Sequence, residues 1–189
     1  MKYNLDNKNL AFFEAYLILT VDSIEKKDFD KSLKYLEILS SYAKDNTIES
    51  AIYESLKDYL GVFKNKSISS KKSRYSNLSM INESFQNCYL GSKKTNDQFL
   101  NLINQPNTDY SRYVFFYTNY LVSNQKFEKA KNVIKDLDEL NINLLVYQTK
   151  EWVKEKKFNE FKEVFSCKNE ADLISEFLFL ISTLYSSEN

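Results

Sequence analysis

Histidine is missing from the 189 residues, glycine occurs twice and proline once. Without histidine the commonest general base and the commonest metal ligand are both gone, and with them Ser-His and Cys-His nucleophilic pairs. Gly61 and Gly91 stand alone, so neither a phosphate-cradling loop nor a dinucleotide fingerprint can be written. So little glycine and proline also removes the tight turns that β-hairpins and α/β loops require. The chain therefore reads as all-α. Cys88 and Cys167 are too few and too far apart to announce a disulfide framework or a zinc motif, and they read as small buried residues. No cofactor or metal follows from any local pattern. Asp136, Asp138 and Glu139 are neighbours, but near a helix C-terminus they read as a solvated face. The expectation is a protein that is not an enzyme.

Long apolar runs are missing too: nothing approaches the 18 residues of a membrane span, so no membrane-spanning segment is expected. The polar start, Met1 to Asn9, leads into a short apolar helix that contains Glu14 and Asp22, unlike a secretory leader. As written the chain reads as cytoplasmic. If it is a piece of a longer chain, a leader upstream would place it elsewhere, the periplasm included. Charge balances at 26 Lys and Arg against 26 Asp and Glu, but unevenly: 7 against 10 over residues 1–56, 8 against 2 over 57–94 and 11 against 14 thereafter. The basic segment 57–94, with Lys64, Lys66, Lys71, Lys72, Arg74, Lys93 and Lys94, is either a solvated linker or an anion- or nucleic-acid-binding surface. Scarce arginine and zero net charge argue against nucleic acid.

What is present is a phrase written three times: Lys27-Asp28-Phe29-Asp30-Lys31-Ser32, Gln125-Lys126-Phe127-Glu128-Lys129-Ala130 and Lys156-Lys157-Phe158-Asn159-Glu160-Phe161. Each follows an apolar-periodic helix ending near Ile24, Leu121 or Val153 and opens a second one. Phe127 and Phe158 are 31 residues apart, and Phe29 and Phe127 are 98 apart, close to three units of about 33 residues. That spacing predicts stacked helix pairs, each covering a neighbour's apolar face. We expect one domain of about 10–11 helices over 1–189, with regular hairpins at about 9–43 and 109–166, an irregular middle at about 64–94 and an unpaired last helix at about 169–187. The break at Gln105-Pro106-Asn107-Thr108 is the sharpest, and Asp109 can cap the helix after it.

These residues resemble a degenerate tetratricopeptide repeat, in which an aromatic follows the turn, a small residue comes three later and a large apolar one four beyond that. Phe127, Ala130 and Ile134 match, as do Phe29, Ser32 and Leu36; Phe158 and Phe165 match, but Phe161 fills the small position and implies looser or altered packing of that pair. Thr20, Thr118 and Thr149 replace another small residue, no unit ends in the customary proline, and residues 48–104 hold hardly any of the motif. The resemblance covers about two thirds of the chain and rests mostly on packing positions, so it speaks to fold more than function. It implies an α-solenoid that binds a protein or peptide partner in the groove made by the first helix of each pair.

In that register Arg112 and Asn119 on one first helix, Asn143 and Lys150 on the next, and Asn87 before them are expected to face the groove and hydrogen-bond a partner's backbone or carboxylate. The last helix carries Phe177, Leu178, Phe179, Leu180, Ile181, Leu184 and Tyr185 around most of its circumference. Phe177, Phe179 and Tyr185 are therefore a candidate docking face for a partner, a following repeat or self-association, unless the helix is a buried cap.

Overall fold

The computed structural model describes residues 12–45, 47–65, 68, 75–105, 111–135, 137 and 143–188. Among these there are ten α-helices and no strand: α1 (Phe13–Glu25), α2 (Phe29–Ser40), α3 (Ile48–Asn65), α4 (Ser76–Leu90), α5 (Thr95–Ile103), α6 (Arg112–Ser123), α7 (Phe127–Lys135), α8 (Leu144–Lys154), α9 (Phe158–Val164) and α10 (Glu170–Glu188). The all-α reading from glycine and proline scarcity holds. Pro106, Asp109, Asp136, Asp138, Glu139 and most of the Lys- and Ser-rich stretch 66–74 lie outside the described residues. The chain divides into two compact units, residues 1–82 with 174–189, and residues 83–173; the division falls within α4 and α10.

The helix pairs owe their geometry to one turn. Lys27, Gln125 and Lys156 all adopt left-handed backbone, with φ of 58°, 58° and 59°, and each sits two residues before the phrase's aromatic. In each, the left-handed N–H donates back to the third carbonyl before it (Ile24, Val122, Val153), and the next N–H donates to the fifth carbonyl before its own (Ser23, Leu121, Trp152). This is a Schellman cap, which satisfies carbonyls that a helix end would leave bare. Gly91, with φ 69°, ends α4 in the same way through its own N–H to Cys88 and that of Ser92 to Asn87. There glycine adopts the left-handed region at no steric cost, whereas the other three copies hold side chains that carry one.

Beyond the turn the second helix starts at once. Asp28 caps α2 by accepting from the Lys31 N–H at 3.1 Å, and Thr47, just before α3, accepts from the Ser50 N–H of its first turn at 3.2 Å. Nine residues before each aromatic, Thr20, Thr118 and Thr149 are fully buried; three residues after it, so are Ser32, Ala130 and Phe161. Thr20 and Thr149 return their hydroxyls to the Tyr16 and Leu145 carbonyls at 2.7 Å, while the buried Thr118 hydroxyl has no partner among the described residues.

In the first unit α2 packs on both α1 and α3, and its core holds Ile24, Leu36, Leu39, Ile52, Leu56, Tyr59, Leu60 and Phe63. The Tyr59 ring meets the edge of Phe177 at 5.8 Å, and its hydroxyl donates to Asn82 Oδ1, whose amide in turn donates to Ser55. Burial, and then the nearby Glu176, push the Tyr59 phenol well above its ordinary value, so it stays a neutral donor. In the second unit α6 touches α5, α7, α8 and α9, and that explains why residues 113–119 are all buried. Phe127 and Phe158, the aromatics of two successive phrases, stack at 4.4 Å. Phe161 takes the position reserved for a small residue by lying parallel to Phe115 at 5.9 Å and edge-on to Trp152 at 5.3 Å. Of the looser or altered packing expected there, the contact is altered and not loose, because the ring is fully buried between two others.

Because Gln125 and Lys156 are exposed residues in left-handed backbone, Gln125→Gly and Lys156→Gly should each stabilise the fold by about 0.5–1 kcal/mol. Chemical denaturation is the check: the midpoint should rise with unchanged slope. A glycine at exposed Glu128, in the first turn of α7, should instead destabilise.

Candidate interaction site

The residues expected to line a groove fall into two groups. Asn119 and Asn87 are interior. Asn119 is 2% exposed, and its amide donates to the Phe161 carbonyl at 2.7 Å and the Phe165 carbonyl at 2.9 Å, so it ties α6 to the end of α9. The Phe161 carbonyl also accepts from the Phe165 N–H at 3.2 Å, so Asn119 adds a second donor there and supplies one to the carbonyl of Phe165, the residue that ends this seven-residue helix. Asn87 is buried and donates to the Glu83 carbonyl one turn earlier. Both polar side chains are buried and bonded to carbonyls within the molecule.

The others reach the surface but have intramolecular roles. Asn143 is exposed and caps α8, accepting from the Val146 N–H at 3.0 Å while donating to the Ser111 hydroxyl at 3.0 Å. Half-buried Lys150 donates to the Leu137 carbonyl at 2.8 Å, and the Arg112 guanidinium lies 5.5 Å from the centre of the Phe116 ring. Of the three docking residues on α10, Phe177 is fully buried against Tyr59, which corrects its placement on an open face; Phe179 is 46% exposed and Tyr185 is half-buried. The buried stripe of α10 is Leu173, Ile174, Phe177 and Ile181, at helical spacing.

Exposed apolar surface lies elsewhere. On α8, Leu144 is 80% exposed and Tyr147 is 58% exposed, one turn apart. On α1, Ile18 is 60% exposed. Ile18 and Tyr147 each sit 11 residues before the phrase's aromatic, while Phe116, which holds that register on α6, is buried. None of these three was expected from the sequence, although counting back from Phe29 and Phe158 puts Ile18 and Tyr147 in one class.

Two further features bear on chemistry. Cys88 and Cys167 are buried as expected, but they are joined in a disulfide across 79 residues, which corrects their reading as separate core residues. Beside it lies a pocket of about 110 Å³ lined by Cys88, Gly91, Asn119, Tyr120, Ser123, Asn124, Ser166, Cys167 and Lys168. Within the basic segment, Lys64 pairs with Asp30 at 2.5 Å and holds that carboxyl below its ordinary range. Lys93 and Lys94 are exposed, and Lys66, Lys71, Lys72 and Arg74 lie outside the described residues. Among the described residues no group of three or more acidic or cysteine side chains gathers as a metal site, and no helix is long and apolar enough to cross a membrane. Comparison with family models, curated proteins and solved structures returns no match.

Asn119→Ala should cost about 1–3 kcal/mol, since the Phe165 carbonyl loses the amide donor and the Phe161 carbonyl keeps only the Phe165 N–H. Thr118→Val should stabilise by about 1 kcal/mol by removing an unpartnered buried hydroxyl, while Thr149→Val should not; thermal unfolding of the three variants separates the cases. The Asp30 carboxyl, depressed first by its hydrogen bond from Lys64, contributes stability above its unfolded value that is lost as pH falls through the lower folded one. Carbon-detected NMR titration of Lys64→Met should show Asp30 moving back up to an ordinary carboxylate value.

Proposed function

We propose that the chain is a non-catalytic scaffold of tetratricopeptide-like helical hairpins that binds a protein or peptide partner through the first helix of a hairpin. The observation that carries this reading is the outward display of Leu144 and Tyr147 on α8, with Ile18 at the register of Tyr147 on α1. A leucine four-fifths exposed contributes nothing to the core, and paired exposed apolar side chains on a rigid helix form the kind of anchor that partner proteins cover. The common Schellman turn supports the comparison of registers, because it ends each first helix with the same hydrogen bonds two residues before the aromatic. The occupant we favour is an extended or helical peptide presenting apolar side chains, with polar groups of the rim satisfied by water and by its own backbone.

The test is selection from a displayed peptide library against the purified chain, followed by titration of enriched peptides against Leu144→Asp/Tyr147→Asp. A loss of at least tenfold in affinity, with unchanged thermal stability, is expected. Enriched peptides that bind both proteins equally would overturn the reading. Affinity that falls steeply with salt and is lost in Lys93→Glu/Lys94→Glu would instead move the site to the basic segment.

A further inference from the structure

The disulfide is embedded in a set of contacts that all serve one short segment. Residues 165–173 lead from α9 into α10 and are fastened to the end of α4 at several points: the Cys167–Cys88 bond, the Lys168 ammonium donating to the Tyr89 carbonyl, and the Tyr89 hydroxyl donating to the buried Glu170 carboxylate at 2.7 Å. Phe165 anchors the segment's start, 4.7 Å from Phe116 and 5.7 Å from Phe85. Both cysteines are nearly inaccessible as residues, yet both line the 110 Å³ pocket, whose other walls are the Gly91 turn and the polar end of α6.

We propose that Cys88–Cys167 is a thiol-exchange site, a redox-operated clasp on residues 165–173, and that the pocket admits the small thiol that opens it. The thiolate of the small thiol attacks one cysteine Sγ, forming a mixed disulfide, and the other Sγ leaves as a thiolate with the electron pair of the broken bond. A second small thiolate then attacks its counterpart in the mixed disulfide, releasing the second cysteine thiolate and a small-molecule disulfide. Both cysteine thiolates take protons from water, so one protein disulfide is reduced and two small thiols are oxidised. The clasp is closed in an oxidising compartment and opens in a reducing one. Phe165 and the Tyr89–Glu170 hydrogen bond survive reduction, so opening loosens the segment without dismantling the unit. Because the bond closes a 79-residue span, reduction also relaxes the unfolded chain and raises the unfolded-to-folded ratio by on the order of a thousandfold.

The experiment treats the full oxidised chain with glutathione and follows cysteine alkylation under native conditions together with hydrogen exchange of residues 165–173. Reduction is expected to rise in proportion to glutathione concentration, to be at least tenfold slower in Ser123→Phe, which fills the pocket, and to speed exchange of 165–173 at least tenfold. Cys88→Ser/Cys167→Ser should exchange like the reduced chain and ignore glutathione. A reduction rate independent of glutathione concentration, showing that only globally unfolded chains react, would overturn the proposal. So would identical exchange of 165–173 in the oxidised and reduced wild type, a comparison that needs no variant to fold.

Discussion

The left-handed residue at the end of each first helix is the constraint on which the rest of the molecule depends. Lys27, Gln125 and Lys156 reverse the chain within a few residues, so the second helix of each pair must lie against the first. Six carbonyls are satisfied in the process. No β-carbon-bearing residue adopts this conformation freely, and three do so here with φ values within a degree of each other. The buried register follows from that reversal. Thr20, Thr118 and Thr149 on one side, and Ser32, Ala130 and Phe161 on the other, are interior because the turn fixes which faces meet. In the second unit the same reversal brings Phe127 and Phe158 into a stack.

Within that unit, α6 is the element against which α5, α7, α8 and α9 are arranged, and its polar content is used accordingly. Asn119 supplies amide donors to the Phe161 and Phe165 carbonyls at the end of α9, and Phe161 fills the space beside Trp152 and Phe115. The segment after α9 is then held by a covalent bond as well as by packing. The most exposed large apolar side chains among the described residues are Leu144, Ile18 and Tyr147, on α8 and α1, whereas those of α6 are covered.

The hairpins were legible in the sequence because the phrase that builds them is local: turn, aromatic and buried positions lie within about a dozen residues and recur. Gly91 was legible for the same reason, since a lone glycine after a helical pattern marks a left-handed cap. The site was less legible. Asn119 and Lys150 share a register, eight residues before their aromatics, yet one is interior and the other half-buried, because only the number of helices packed around each decides exposure. Phe177 was taken for an open face because α10 is apolar around much of its circumference; which stripe is covered depends on Tyr59, 118 residues earlier. The cysteine pair carried no signal at all, since neither sits in a motif and 79 residues separate them.

One turn geometry, at Lys27, Gln125 and Lys156, organises the three hairpins. Backbone dihedral angles measured in solution by NMR at Lys27, Gln125 and Lys156, from one-bond Cα–Hα couplings and intraresidue HN–Hα distances, test it most directly. Positive φ at all three is the predicted result. Negative φ at any of them, with its helices still formed, would show that the pairs are held by packing alone and that the shared register has another cause.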